Sequence, residues 1–121
     1  MQESSPGHIG QFRRLHSIAR RLGVQVNRYE AAEQAVSEVF GLPIELFTGK
    51  CRQWEVAEVR QALWMILRYD KETFVDIADE YSLDHTSIIH GVAVAKARFK
   101  ESRWYRWRLE QDWAKYRAGV A

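Results

Sequence analysis

Apolar residues recur along this chain at steps of three and four, and each stripe is bracketed by residues that start or stop a helix. Ile9, Phe12, Leu15, Ala19 and Leu22 form the first stripe, between Pro6-Gly7 and Gly23. Tyr29, Ala32, Val36, Val39 and Phe40 form the second; Asn27 before it can accept a first-turn amide and Gly41 closes it. A short turn, Pro43 to Thr48, starts with proline and stops at Gly49. The polar stretch KCRQWE then reads as a loop. Val56, Val59, Leu63, Ile66 and Leu67 set a longer helix, and on its wheel Gln61 and Arg68 share an exposed side with Trp64 nearby. Thr73 and Asp76 resemble a capping box that opens a brief helix, with Phe74, Ile77, Ala78 and Tyr81 inward.

After a tight turn at Ser82-Leu83, Asp84 can cap a helix running from His85 to about Phe99, with Ile88, Val92, Ala95 and Phe99 as its buried stripe. Tyr105, Leu109, Trp113 and Tyr116 stripe a last helix, drawn either as a separate element or as a continuation of the one before it. No strand-like alternation competes with these stripes, so the expected fold class is all-α. A chain of 121 residues is long enough to bury one core and too short for two.

Composition narrows the function classes. No apolar run approaches the roughly 18 residues of a membrane span and no secretion signal opens the chain, so a soluble cytoplasmic protein with no membrane partner is expected. The lone Cys51 can form neither an intrachain disulfide nor a thiolate zinc site by itself. The net charge is only +2, and basic and acidic residues balance five to five over residues 1–48, eight to eight over 49–100 and five to three over 101–121. A polyanionic partner would therefore have to meet a local patch.

The chemistry-bearing cluster is DHTSIIHG, Asp84 to Gly91. A metal site is disfavoured: His85 and His90 are five residues apart and point about 140° away from each other on a helix. His8 and His16 have no thiolate or clustered carboxylate near them in sequence. A serine hydrolase would need Ser87 on a strained turn, whereas it falls in the first turn of a helix. Thr48-Gly49-Lys50 resembles the end of a phosphate loop, but Cys51 stands where Ser or Thr would hold Mg²⁺. No enzyme activity, cofactor or metal is expected. On the wheel Thr86, Ser87, His90 and Arg98 gather opposite the apolar stripe among Gly91, Ala93 and Ala97, a polar face of modest bulk suited to a DNA groove. Each of these residues also has a plainer reading, as a cap or a solvated face, which periodicity alone slightly favours.

From about Glu30 to Arg98 the chain resembles the C-terminal DNA-binding domain, domain IV, of the bacterial chromosomal replication initiators, the DnaA family. The similar features come in order: VFGLPIELFTG, the loop KCRQ, VRQALWMIL, then FVDIADEYSLDHTSIIHG. The resemblance implies a Trp-repressor-like helix-turn-helix bundle, here with an additional N-terminal helix and an extended C-terminal helix. It implies a DNA-binding domain over 27–100; outside its reach, composition and periodicity give a flexible 1–7, an accessory helix over 8–26 and a Trp-rich helix over 101–121.

It further implies that Asp84, His85 and Thr86 read bases in the major groove and that Arg52 enters the adjacent minor groove. Ser87, His90, Lys50, Arg60, Gln61 and Arg68 would contact the DNA backbone. The chain departs from the family pattern in a turn one residue shorter, with Ser82-Leu83 before Asp84, and in a loop that carries Cys51, Trp54 and Glu55 where the family is often basic. No ATPase module accompanies the domain, so origin melting is not expected. The expected function is sequence-specific binding of double-stranded DNA in the nucleoid, regulating replication or transcription. The rival expectation is a protein-interaction module with an initiator-like fold, using the N-terminal helix or Trp104, Trp107 and Trp113 of the last helix for a protein partner or a homodimer.

Overall fold

The computed structural model describes residues 27–49 and 51–120, so the segments expected over 1–7 and 8–26, and Lys50, lie outside the described residues. Six helices and no strand make up the described chain: α1 Arg28–Phe40, α2 Ile44–Thr48, α3 Trp54–Tyr69, α4 Phe74–Tyr81, α5 His85–Glu101 and α6 Arg103–Val120. The fold class is all-α. No helix among the described residues is long and apolar enough to cross a membrane.

The caps fall where the side chains dictate. Asn27 accepts from the Tyr29 amide, Thr73 from that of Asp76 and Asp84 from that of Thr86, each filling an otherwise unmatched first-turn donor. Gly41 ends α1 in the left-handed region at φ 74°, its amide donating to the Ser37 carbonyl. α4 ends the same way at Ser82, φ 59°, a conformation that a β-carbon disfavours. Ser82→Gly is expected to raise stability by about 0.5–1 kcal/mol, read from chemical unfolding midpoints; a loss would mean that the serine hydroxyl matters more than the backbone angle.

α3 lies at the centre, packed by α1, α2, α4, α5 and α6. Its buried residues, Val56, Val59, Ala62, Leu63, Trp64, Ile66 and Leu67, cover well over one stripe. Trp64 is therefore a correction to the wheel: it is buried, where the single-stripe reading set it near an exposed side shared by Gln61 and Arg68. The last helix does not continue α5. Ser102 breaks the rod with extended backbone and its hydroxyl accepts from the Tyr105 amide, so α6 turns back. α6 then packs along α1 in the antiparallel sense, with Lys115 paired to Glu38 at 3.3 Å and Gly119 facing Ala31. Tyr105, Leu109 and Tyr116 of α6 join the same core as Ala32, Val36 and Leu63.

A polar knot ties the far ends together. Tyr29 donates to Glu72 at 2.7 Å, Arg28 bridges to Glu72 at 2.9 Å, and Tyr116 donates to Asp70. Burial, assisted by these carboxylates, pushes the Tyr29 and Tyr116 phenols well above their usual range, so both are neutral donors at any physiological pH.

Candidate functional site

α4, the turn at Ser82-Leu83 and α5 set the geometry of the DHTSIIHG cluster. Ile88, Gly91, Val92 and Ala95 bury one side of α5, and this seats the helix on its neighbours. Asp84, His85, Thr86, Ser87 and His90 are all exposed, so the amino end of α5 offers a contiguous set of polar side chains to solvent. The Asp84 carboxylate has one oxygen engaged by the Thr86 amide at 3.1 Å, and His85 Nδ1 stands 3.4 Å from that same oxygen. The Thr86 amide, then its hydroxyl and the neighbouring imidazole hold the Asp84 carboxyl below its usual range. An ionised, exposed Asp84 is an acceptor suited to an exocyclic amine.

Gly91 is a second correction. The wheel set it among the small residues of the exposed face, but it is buried, and a β-carbon built on it would lie 2.4 Å from Cζ3 of Trp64 and 3.4 Å from Cγ of Gln61. α5 thus approaches α3 closely because this residue has no side chain.

The residues that the resemblance puts on a DNA backbone divide into two groups. Arg68 is exposed at the end of α3, its guanidinium 4.6 Å over the Phe74 ring, and Ser87 and His90 are exposed on α5. Arg60 turns inward instead: its Nε donates to the Phe47 carbonyl at 3.0 Å and its Nη2 to the carbonyls of Gly49 and Cys51 at 3.3 and 2.7 Å. Burial lowers its pKa from the usual value, though far too little to discharge a guanidinium. Its role here is to fix the path of the loop that carries Arg52. Gln61 likewise faces α5, its Oε1 accepting from Arg98 Nη1 at 3.0 Å. Arg98, placed on the exposed face by the wheel, is drawn in by Gln61, by Glu58 at 3.5 Å and by the Tyr105 ring at 5.0 Å.

Arg52 is exposed on this loop. The loop is pinned at the turn of α3 where Arg60 and Gln61 sit, and Gln61 meets Gly91 of α5; the basic loop and the exposed His90 face are therefore anchored to one stretch of α3. Among the described residues no group of three or more His, Cys, Asp or Glu side chains is arranged to hold a metal.

Sequence reasoning missed a buried acid on α6, whereas exposure of the tryptophans was among its open readings. Asp112 is fully buried on α6 with neither carboxylate oxygen hydrogen-bonded. Trp104 and Trp107 stand out in solvent, while Trp113 is half-buried against Tyr69 and Tyr116. Comparison with protein-family models, with curated proteins and with solved structures finds no significant match to this chain.

Proposed function

We propose that this chain is a sequence-specific, double-stranded DNA-binding domain of the initiator-like, Trp-repressor-like helix-turn-helix kind, without catalytic activity. α4 and α5 are the two helices of the motif, and the amino end of α5 enters the major groove. The observation that carries the reading is the exposure of the whole run Asp84, His85, Thr86, Ser87 and His90 on a helix whose other side is locked into the core. Asp84, His85 and Thr86 then meet base edges, while Ser87, His90 and Arg68 meet phosphates. Arg52, on the loop that Arg60 secures, reaches the neighbouring minor groove. Arg60 and Gln61 act by positioning the loop and α5.

Selection from a random duplex library at moderate salt tests the proposal, with enrichment of one motif as the expected result. His85→Ala is then expected to cost about 1–3 kcal/mol on the selected site and nothing on random duplex. Arg68→Ala is expected to weaken all duplexes alike and to lower the salt slope by about one unit. Equal losses from both substitutions on both kinds of DNA would refute base reading by His85.

The rival reading, a protein-interaction module, draws on the exposure of Trp104 and Trp107. Failure of any motif to enrich favours it.

A further inference from the structure

A strongly basic stretch lies where α5 gives way to α6. Between residues 96 and 108, Lys96, Arg98, Lys100, Arg103, Arg106 and Arg108 stand against the single acid Glu101, in a chain whose net charge is only +2. Arg98 is engaged internally. Arg106 donates to the Phe99 and Lys100 carbonyls at 3.1 and 2.8 Å and so helps to hold the bend at Ser102. Lys96, Lys100 and Arg103 are exposed. Among these cations Trp104 is 72% exposed and Trp107 53%, their rings nearly perpendicular with centroids 6.3 Å apart. Together with Arg103 they line an open depression of ≈ 590 Å³. The Arg108 guanidinium sits 5.9 Å from the Trp104 ring and 5.4 Å from that of Phe40, which braces that indole.

We propose that this bend is a second nucleic-acid site, and that its ligand is a single strand. Two indoles kept in water among cations match a partner with both flat apolar faces and repeated negative charge, as unpaired bases and their phosphates provide. The perpendicular pair forms a corner in which a base stacks on one indole with its edge against the other. Arg103, which lines the depression, and Arg108 beside Trp104 supply positive charge for the phosphates, offset in part by Glu55 and Glu58 in the neighbouring cleft that Trp104 also lines. A duplex cannot use the corner, because its base faces are already stacked on one another. An apolar protein partner would not call for the surrounding cations. Since α5 has 17 residues, the bend lies roughly 25 Å along the helix from His85, so the two sites are separate and this one does not rest on the duplex reading.

The test uses the full chain and fluorescently labelled oligothymidine and oligouridine of about twenty nucleotides, titrated at low salt and followed by anisotropy and by tryptophan quenching. Binding of either oligomer with quenching is expected, and the preferred one identifies the strand as DNA or RNA. The double variant Trp104→Ala, Trp107→Ala is expected to bind about tenfold or more weakly while keeping its helix content and melting midpoint, because both rings are exposed. Arg103→Ala is expected to weaken binding more at low salt than at high. His85→Ala is expected to leave oligomer affinity unchanged, which separates this site from the duplex-reading one. Absence of binding at low salt, or unchanged affinity in the double tryptophan variant, would overturn the proposal. So would a concentration-dependent dimer that the tryptophan variant abolishes in a protein that binds neither oligomer.

Discussion

Replacing Asp112 by asparagine is expected to raise the thermal unfolding midpoint at pH 8 by about 10 °C or more and to flatten the dependence of stability on pH. Asp112 is 0% exposed and neither of its oxygens has a hydrogen-bond partner. Burial pushes its carboxyl up from 3.8 to about 8, against the opposing pull of Arg108 one turn earlier on the same helix. In the unfolded chain the same group releases its proton near 3.8. Between these two values the folded state binds more protons than the unfolded one, so stability falls as pH rises. The contribution is fully present below about 3.8, is lost as the pH rises through about 8, and levels off beyond. The loss is on the order of 6 kcal/mol. Asparagine keeps the shape and cannot ionise, so the variant escapes the loss. Thermal melts from pH 4 to pH 9 provide the measurement. A variant with the same slope as the wild type, or one less stable at pH 8, would show that Asp112 has a partner that stabilises its charge.

Gly91→Val is expected to destabilise the fold by about 3 kcal/mol, and Gly91→Ala by about 1–2 kcal/mol despite the better helix propensity of alanine. The β-carbon would stand 2.4 and 2.5 Å from Cζ3 and Cε3 of Trp64. Trp64 is only 6% exposed in the central helix and has no room to withdraw, so α5 must lift from α3. Pairing Gly91→Val with Trp64→Leu makes space from the other side. The double variant is expected to recover part of the loss, giving a coupling energy of about 1–2 kcal/mol in a double-mutant cycle. Simple additivity would mean that the two residues do not compete for one volume. Because α5 carries the polar run from Asp84 to His90, Gly91→Val is also expected to weaken duplex binding at temperatures where the variant remains folded.

How far the sequence could be read depended on how many sides of a helix are covered. α4, its turn and α5 were legible because Thr73 and Asp84 cap by their own side chains and because each helix buries one stripe. α3 defeated the same reading: it is enclosed by neighbours on several sides, so α5 covers Trp64 while Arg68, farther along the same side, stays exposed. Gly91 carried the missing clue, since a residue without a side chain in a helix usually marks a close approach. Asp112 occupies the inward stripe with Tyr105, Leu109 and Tyr116, and its chemical type concealed its position. The inward turn of Arg60 depends on carbonyls left open at Phe47, Gly49 and Cys51, which no pattern of residue types reveals. The basic bend is hidden in the overall charge balance because its cations straddle two helices and the acids lie on either side of it.

The antiparallel seating of α6 on α1 has a consequence for biosynthesis. Ala31 meets Gly119 and Glu38 meets Lys115 across nearly the whole described chain, so the strip of α1 that α6 covers, beside the strip that packs on α3, stays bare until α6 is made. Release of α6 from the exit tunnel is therefore the event that closes the core, and until then the nascent chain exposes apolar surface of the kind that chaperones bind.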